Sequence, residues 1–288
     1  MPQISAVDVE KFNRDGYLVI PGAYTDDEID SLVSRTGQIV SGFDADSHKS
    51  TFETERLSHQ SDEYFLSSGD KIRMFFEKDA FDEDGRLRVD KRLAINKMGH
   101  AMHDLDDTFR KFSYHPVLLN ACKALGYRRP AVVQSMYIFK QPAVGGSVTP
   151  HQDSSFIHTD PPSCLGVWIA LEDANKTNGC LYAVPGSHKK GILKRFLLNE
   201  DRTSAAYDRP GTYDIDNAVP LEVPKGTLVL LHGTLVHFSE HNYSNTSRHA
   251  YTLHIVEQDD CQWSSDNWLQ RPTMPFKDME EQCKALWA

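Results

Sequence analysis

Two copies of the pattern His-x-Asp stand close together in the stretch TPHQDSSFIHTDPPSCLGVWIALED, Thr149 to Asp173: His151-Gln152-Asp153 and His158-Thr159-Asp160. On a strand, residues two apart project to the same face, so an imidazole and a carboxylate at this spacing could share one metal ion. A chain of ordinary composition carries about one such pattern by chance, and only its surroundings can give it meaning. Pro161 and Pro162 follow the second copy directly. They deny ladder donors and push Asp160 toward turn geometry, which disfavours His158 and Asp160 as ligands. The first copy follows Gly145, Gly146 and Pro150, an entry into a strand where a barrel mouth would begin. Taken alone, His151 also fits a surface turn.

A third ligand has to come from elsewhere, and GTLVLLHGTLVHFSEHNYSNTSRHAYTLHIVE, Gly226 to Glu257, offers His232, His237, His241, His249 and His254. The segment reads as strand, turn, strand, with Asn242, Ser244 and Asn245 at the turn. His237 ends the first apolar strand beside polar Ser239, the place for a side chain lining a cavity mouth. Arg248 opens the returning strand on the face shared by Ala250, Thr252 and His254. On that small-residue face an arginine is a buried charge, costly unless paired. An anionic ligand carboxylate, held bidentately, is its natural partner. Two histidines, one carboxylate and an arginine are the parts of a non-haem iron(II) site that uses 2-oxoglutarate.

The elements that must position these residues change character midway along the 288 residues. Before about Arg128 helix signals dominate: SAVDVEKFNRDG opens on Ser5 and closes on Gly16, and Thr25-x-x-Glu28 forms a capping box ahead of Ile29, Leu32 and Val33. Between them YLVIPG reads as a short strand. Beyond Pro130 come AVVQSMYIFK, LGVWIALED, CLYAVPGSH, GTLVLLHGTLVH and HAYTLHIVE, separated by Gly, Pro, Asn and Asp. The expectation is a mainly β chain with flanking helices, built on a double-stranded β-helix (a cupin-like jelly roll). One domain, 1–288, would comprise a helical buttress over about 1–128, the jelly-roll core over about 130–257 and an extension over 258–288.

Composition bounds the function. A chain that is 40% hydrophobic and 25% charged fits one large globular domain. Asp plus Glu outnumber Lys plus Arg by 41 to 31, for a net charge of -10, so neither nucleic acid nor an anionic membrane is an expected partner. The first residues lack the uninterrupted apolar run of a signal peptide or membrane span, and CKALWA carries no peroxisomal or prenylation signal. Five scattered cysteines without a CxxC pair read as reduced thiols of a cytoplasmic protein, which makes the sequons at Asn175, Asn242 and Asn245 accidental.

KFNRDGYLVIPG, YFLSSGDKIRMFFEK, INKMGHAMH, VVQSMYIFKQP, TPHQDSSF, LGVWIALEDANKTNGCLYAVPGSH and RHAYTLHIVE together resemble the phytanoyl-CoA dioxygenase family nearly end to end. The resemblance implies that His151, Asp153 and His237 are a facial iron triad, that Arg248 anchors the 2-oxoglutarate carboxylate and that Ser239 assists it. It further implies that Lys97, Met136 and Trp168 line the 2-oxoglutarate pocket. By themselves these last three also fit a solvated helix end, core filler and packing between sheets. Fe(II), 2-oxoglutarate and O2, with ascorbate as an iron reductant, are the implied cofactors. The implied reaction couples decarboxylation of 2-oxoglutarate to succinate with hydroxylation of a substrate. Related halogenases replace the acidic ligand with a small residue, so Asp153 favours oxygenation. A metal-dependent hydrolase or isomerase, or a non-catalytic binding module on the same barrel, is the alternative.

The sequence names neither the substrate nor the oligomeric state. If the small molecule were an acyl-CoA, its phosphates would need cations, for which Arg128 and Arg129, or Lys189, Lys190, Lys194 and Arg195, are candidates. Solvated surface is the preferred account of them.

Overall fold

Ser5 and Gly16 bound the first helix of the protein, Ala6–Asp15. Ser5 accepts from the Asp8 N–H while the Asp8 carboxylate accepts from the Ser5 N–H, and Gly16 closes the helix in the left-handed conformation. Thr25 and Glu28 cap the helix Asp26–Gly42 in the same reciprocal way. The computed structural model describes residues 2–52 and 60–288.

The strands in chain order are β1 (Tyr17–Ile20), β2 (Ile72–Phe76), β3 (Ile95–His100), β4 (Pro130–Ile138), β5 (Val148–His151), β6 (Thr159–Asp160), β7 (Leu165–Ala170), β8 (Leu181–Ala183), β9 (Phe196–Leu198), β10 (Ala205–Tyr207), β11 (Val219–Leu221), β12 (Leu228–His232), β13 (His237–Ser239), β14 (Ala250–Glu257) and β15 (Gln262–Trp263). Seven form one antiparallel sheet in the order β1-β12-β7-β14-β4-β3-β2, and four form a second, β11-β8-β13-β5. The small sheet packs on the large one as a jelly roll.

Alternation along the central strands sorts the two faces of the large sheet. Val167 and Ile169 of β7 with Leu253 and Ile255 of β14 join Phe109, Phe112, Val117 and Leu118 of the helices Asp107–Ser113 and Pro116–Ala124 in one core. Trp168, Ala170 and Ala250 face the other way and meet Leu181 and Ala183 of β8 in a second core between the sheets. Thr252 and His254 share that inward face and line a cavity.

Three elements differ from the sequence reading. Segments IRMFF and INKMGH, which lie in the half expected to be helical, are β2 and β3 and extend the large sheet. Buried on both faces, they lack the alternation that marks a half-solvated strand. His237, expected to end the strand begun at Gly226, instead starts β13 of the opposite sheet. The chain leaves the large sheet after His232 through Gly233, whose N–H donates to the Cys164 carbonyl and whose carbonyl accepts from Ser154. A side chain at Gly233 would collide with both neighbours. The turn at Asn242 forms as expected: its side-chain amide donates to the carbonyls of Lys140 and Thr246. Among the described residues no helix is long and apolar enough to cross a membrane, and all five cysteines are free.

Candidate active site

His151 ends β5 and His237 begins β13, and the two are register partners across that strand pair. His151 Nδ1 lies 2.8 Å from the Thr149 carbonyl and His237 Nδ1 3.1 Å from the Leu235 carbonyl. A carbonyl only accepts, so each Nδ1 carries a proton and each ring turns Nε2, the nitrogen available to a metal, inward. Burial, reinforced by the neighbouring His237, pushes the His151 imidazole down to about 4, so it is neutral at ordinary pH.

Asp153 does not share the strand with His151. It opens a single 3-10 turn, Asp153–Ser155, after the strand has ended. Gln152 makes the break: its buried side chain donates to the carbonyls of Gly191 and Thr234 and accepts from the Leu193 N–H. The turn brings Asp153 Oδ1 to 3.7 Å from His151 Nε2 and 3.5 Å from His237 Nε2. Burial opposes ionisation of Asp153, but the facing His254 and His237 outweigh it and hold the carboxyl well below the usual carboxylate range. Among the described residues these three alone form a group of metal-ligating atoms, all within 4.8 Å of one another. The donor set is two imidazoles and one carboxylate without thiolate, which suits Fe(II) and not a structural zinc.

The second copy of the pattern lies elsewhere. Asp160 is exposed on β6, paired with β15, and the His158 main chain is held by Asn267. Of the other histidines, His249 bonds the Tyr137 hydroxyl, His232 bonds Thr234, and His241 reaches the Ala143 carbonyl at the cavity mouth.

The triad opens into a cavity of about 1000 Å³ whose lining includes Lys97, Met136, Trp168, Ser239 and Arg248. Arg248 is 1% exposed. Its Nε donates to the Gly179 carbonyl at 3.1 Å, its guanidinium lies 5.3 Å from the Trp168 ring centre, and its Nη1 has no partner. Burial draws it down to about 10, still protonated at neutral pH. No carboxylate among the described residues lies within ion-pair distance of it, so a buried guanidinium edge is left without a charged partner. Lys97 is not a solvated helix-end lysine: it sits on β3, 4% exposed, with its ammonium 3.1 Å from the Phe52 ring centre. Burial pulls it well below its ordinary value.

Sequence reasoning missed part of the lining. Gln134, Phe156, Tyr207, Phe238, His254 and Trp268 all reach the cavity. His254 carried a signal, its place on the Arg248 face; Tyr207 and Trp268 lie on segments whose approach depends on the tertiary fold. The basic clusters weighed for phosphate binding do not line the cavity. Arg128 pairs with Asp259 and Asp260, Arg129 with Asp278, and Lys190 with Asp214.

Comparison with known proteins agrees with this geometry. The family model for phytanoyl-CoA dioxygenase (PhyH) matches residues 12–250. The chain is 48% identical over 265 residues to a phytanoyl-CoA dioxygenase of Arabidopsis thaliana, covering 92% of this chain and 93% of that one. It is 44% identical over 286 residues to phytanoyl-CoA dioxygenase domain-containing protein 1 of Danio rerio, covering 96% and 98%. Among solved structures it is similar to the epimerase SnoN in complex with Fe3+, alpha ketoglutarate and nogalamycin RO (TM-score 0.62, 15% identity, 94% of this chain and 91% of that one). It is also similar to EctD from S. alaskensis with bound Fe (TM-score 0.62, 19% identity, 93% and 82%). These last two likenesses concern the fold. With the family model spanning most of the chain and relatives at nearly half identity, the chain belongs to the phytanoyl-CoA dioxygenase family.

Proposed function

We propose that the protein is an Fe(II)- and 2-oxoglutarate-dependent dioxygenase that converts 2-oxoglutarate and O2 to succinate and CO2 while hydroxylating a C–H bond of a small organic substrate. One observation carries this reading: two imidazoles, each held through Nδ1 by a backbone carbonyl, and a buried carboxylate share a cavity with a buried arginine that has no carboxylate partner among the described residues.

His151, Asp153 and His237 would hold Fe(II), which would supply the redox chemistry toward 2-oxoglutarate and dioxygen. Arg248 is suited to the distal carboxylate, since its planar fork offers two parallel donors that a lysine lacks. Ser239 adds a hydroxyl to the cavity lining, while Met136 and Trp168 supply apolar contact. Lys97 places an amine inside an aromatic enclosure of Phe52, Phe65 and Phe75, where any anionic oxygen meets little competing water. Phe156, Phe238 and Trp268 form the walls that keep solvent from the reacting carbon. Ascorbate serves as an external reductant for iron.

Calorimetric titration of 2-oxoglutarate into anaerobic Fe(II)-loaded protein tests the reading. Binding that requires the metal is expected; binding that is equally tight to metal-free protein, or none at all, speaks against it.

A further inference from the structure

We propose that His254, backed by Gln134 and faced by Gly166, is a positioning residue that sets the orientation of the Asp153 carboxylate. The proposal rests on the reading of His151, Asp153 and His237 as a metal centre.

His254 Nε2 lies 3.1 Å from Asp153 Oδ1, nearer than the nitrogen of either triad histidine. His254 nevertheless stands outside the group of mutually close ligating atoms. Its relation to the site runs through Asp153. An ionised carboxylate only accepts, so the nitrogen facing it must carry a proton. On the other side of the ring, Nδ1 lies 2.6 Å from the Gln134 side-chain oxygen. Two arrangements satisfy both contacts. If the ring is an imidazolium, both nitrogens donate. If it is neutral, Nδ1 accepts and the Gln134 amide, turned by half a revolution, donates to it. In each case Nε2–H points at Asp153, so the hydrogen bond does not depend on the charge of His254.

The sheet explains why this contact is held. Gln134, His254 and Gly166 are register partners across β4, β14 and β7, a row directly beneath the carboxylate. His254 is 8% exposed and Gln134 4%. At the third position of the row a methyl group in place of the Gly166 hydrogen would collide with Asp153 Oδ2. One oxygen is therefore tied by a donor and the other rests in the space left by an absent side chain. Asp153 needs this support because, unlike His151, it lies on a 3-10 turn with no ladder partner. A carboxylate so clamped presents one oxygen and not two, which keeps coordination positions free for the co-substrates.

Co(II) is the probe, titrated into metal-free protein and followed by visible absorption, with the Tm of each metal-free variant measured alongside. His254→Phe keeps the ring volume and removes the donor; His254→Gln keeps an N–H donor; Gln134→Leu removes only the support. His254→Phe is expected to weaken Co(II) binding about 10- to 100-fold together with a modest fall in Tm from the buried partners it leaves unpaired, Gln134→Leu to weaken it less, and His254→Gln to recover most of the metal affinity. Wild-type affinity in His254→Phe, or equal weakening by Phe and Gln, overturns the proposal. Should His254→Phe fail to fold, unchanged affinity in Gln134→Leu overturns it. A wild-type titration that never saturates overturns the metal centre itself and this inference with it, whereas wild-type saturation with an indifferent His254 removes this inference alone.

Discussion

His151 and His237, far apart in the chain, face each other as register partners of β5 and β13 with their ring centres 4.3 Å apart. Each ring is locked by the backbone carbonyl two residues earlier in the chain, Thr149 for His151 and Leu235 for His237. Backbone pairing thus sets the two candidate histidine ligands, and the 3-10 turn adds the candidate carboxylate.

This arrangement separates the two His-x-Asp copies. His151→Ala and Asp153→Ala are each expected to abolish stoichiometric Fe(II) or Co(II) binding, while His158→Ala and Asp160→Ala retain it. Metal content after dialysis decides between them. Equal loss from both pairs would assign the centre to the wrong copy.

Arg248→Lys keeps a charge but loses the planar fork. A charge-assisted hydrogen bond contributes about 1.5 to 3 kcal/mol, so half-saturation by 2-oxoglutarate should rise roughly tenfold to a hundredfold. Metal affinity should hold, because the guanidinium is bonded to the Gly179 carbonyl and not to the triad. An unchanged half-saturation would make Arg248 a structural residue, with Lys97 the next candidate for the anchor.

Gly166→Ala places a methyl group against Asp153 Oδ2 and Leu231. Overpacking of this kind costs about 1 to 3 kcal/mol, and the carboxylate, the nearer of the two contacts, is the group displaced from its position. A modest fall in Tm with a larger proportional loss of metal affinity is expected from thermal melts and Co(II) titration. A Tm loss with metal affinity intact would place the strain elsewhere.

Away from the site, buried Asp104 accepts from Arg271, lies 2.9 Å from Lys277 Nζ and 3.1 Å from His103 Nε2, and so ties the C-terminal segment to the sheet through the His103–Ser135 bond. Burial raises the cost of its charge, but the His103 hydrogen bond, with Arg271 and Lys277, more than offsets this and holds the carboxyl far below its ordinary value. A depressed folded-state value means stability that is fully present above the unfolded value of about 3.9 and lost as the pH falls toward the folded one. Asp104→Asn should therefore cost about 3 kcal/mol at neutral pH. The gap to wild type should narrow below about pH 4. Denaturant melts across pH 3 to 7 measure it, and a gap that does not change with pH would assign the loss to packing.

The helix ends were readable because their signals are local: Ser5 with Gly16, and Thr25 with Glu28, satisfy backbone groups within one turn. The inward face of β14 was readable from alternation, and Arg248, Thr252 and His254 do reach the cavity. What lay beyond reach depended on pairing. INKMGH has no alternation because it is buried on both faces, so Lys97 could not be distinguished from a helix-end lysine. LVLLHGTLVH reads as one apolar run, yet the close approach of Gly233 to Cys164 divides it between two sheets. The row of Gln134, His254 and Gly166 exists only once three strands are in register.

The measurement that bears most directly on the central claim is succinate formation from 2-oxoglutarate, with O2 consumption followed in the same sample. Wild-type protein loaded with Fe(II) in the presence of ascorbate should form succinate and consume O2 in equal amounts, slowly without the substrate, and His237→Ala and Asp153→Ala should do neither. Succinate formation that is absent from the loaded wild type, or that persists undiminished in His237→Ala, would contradict the account.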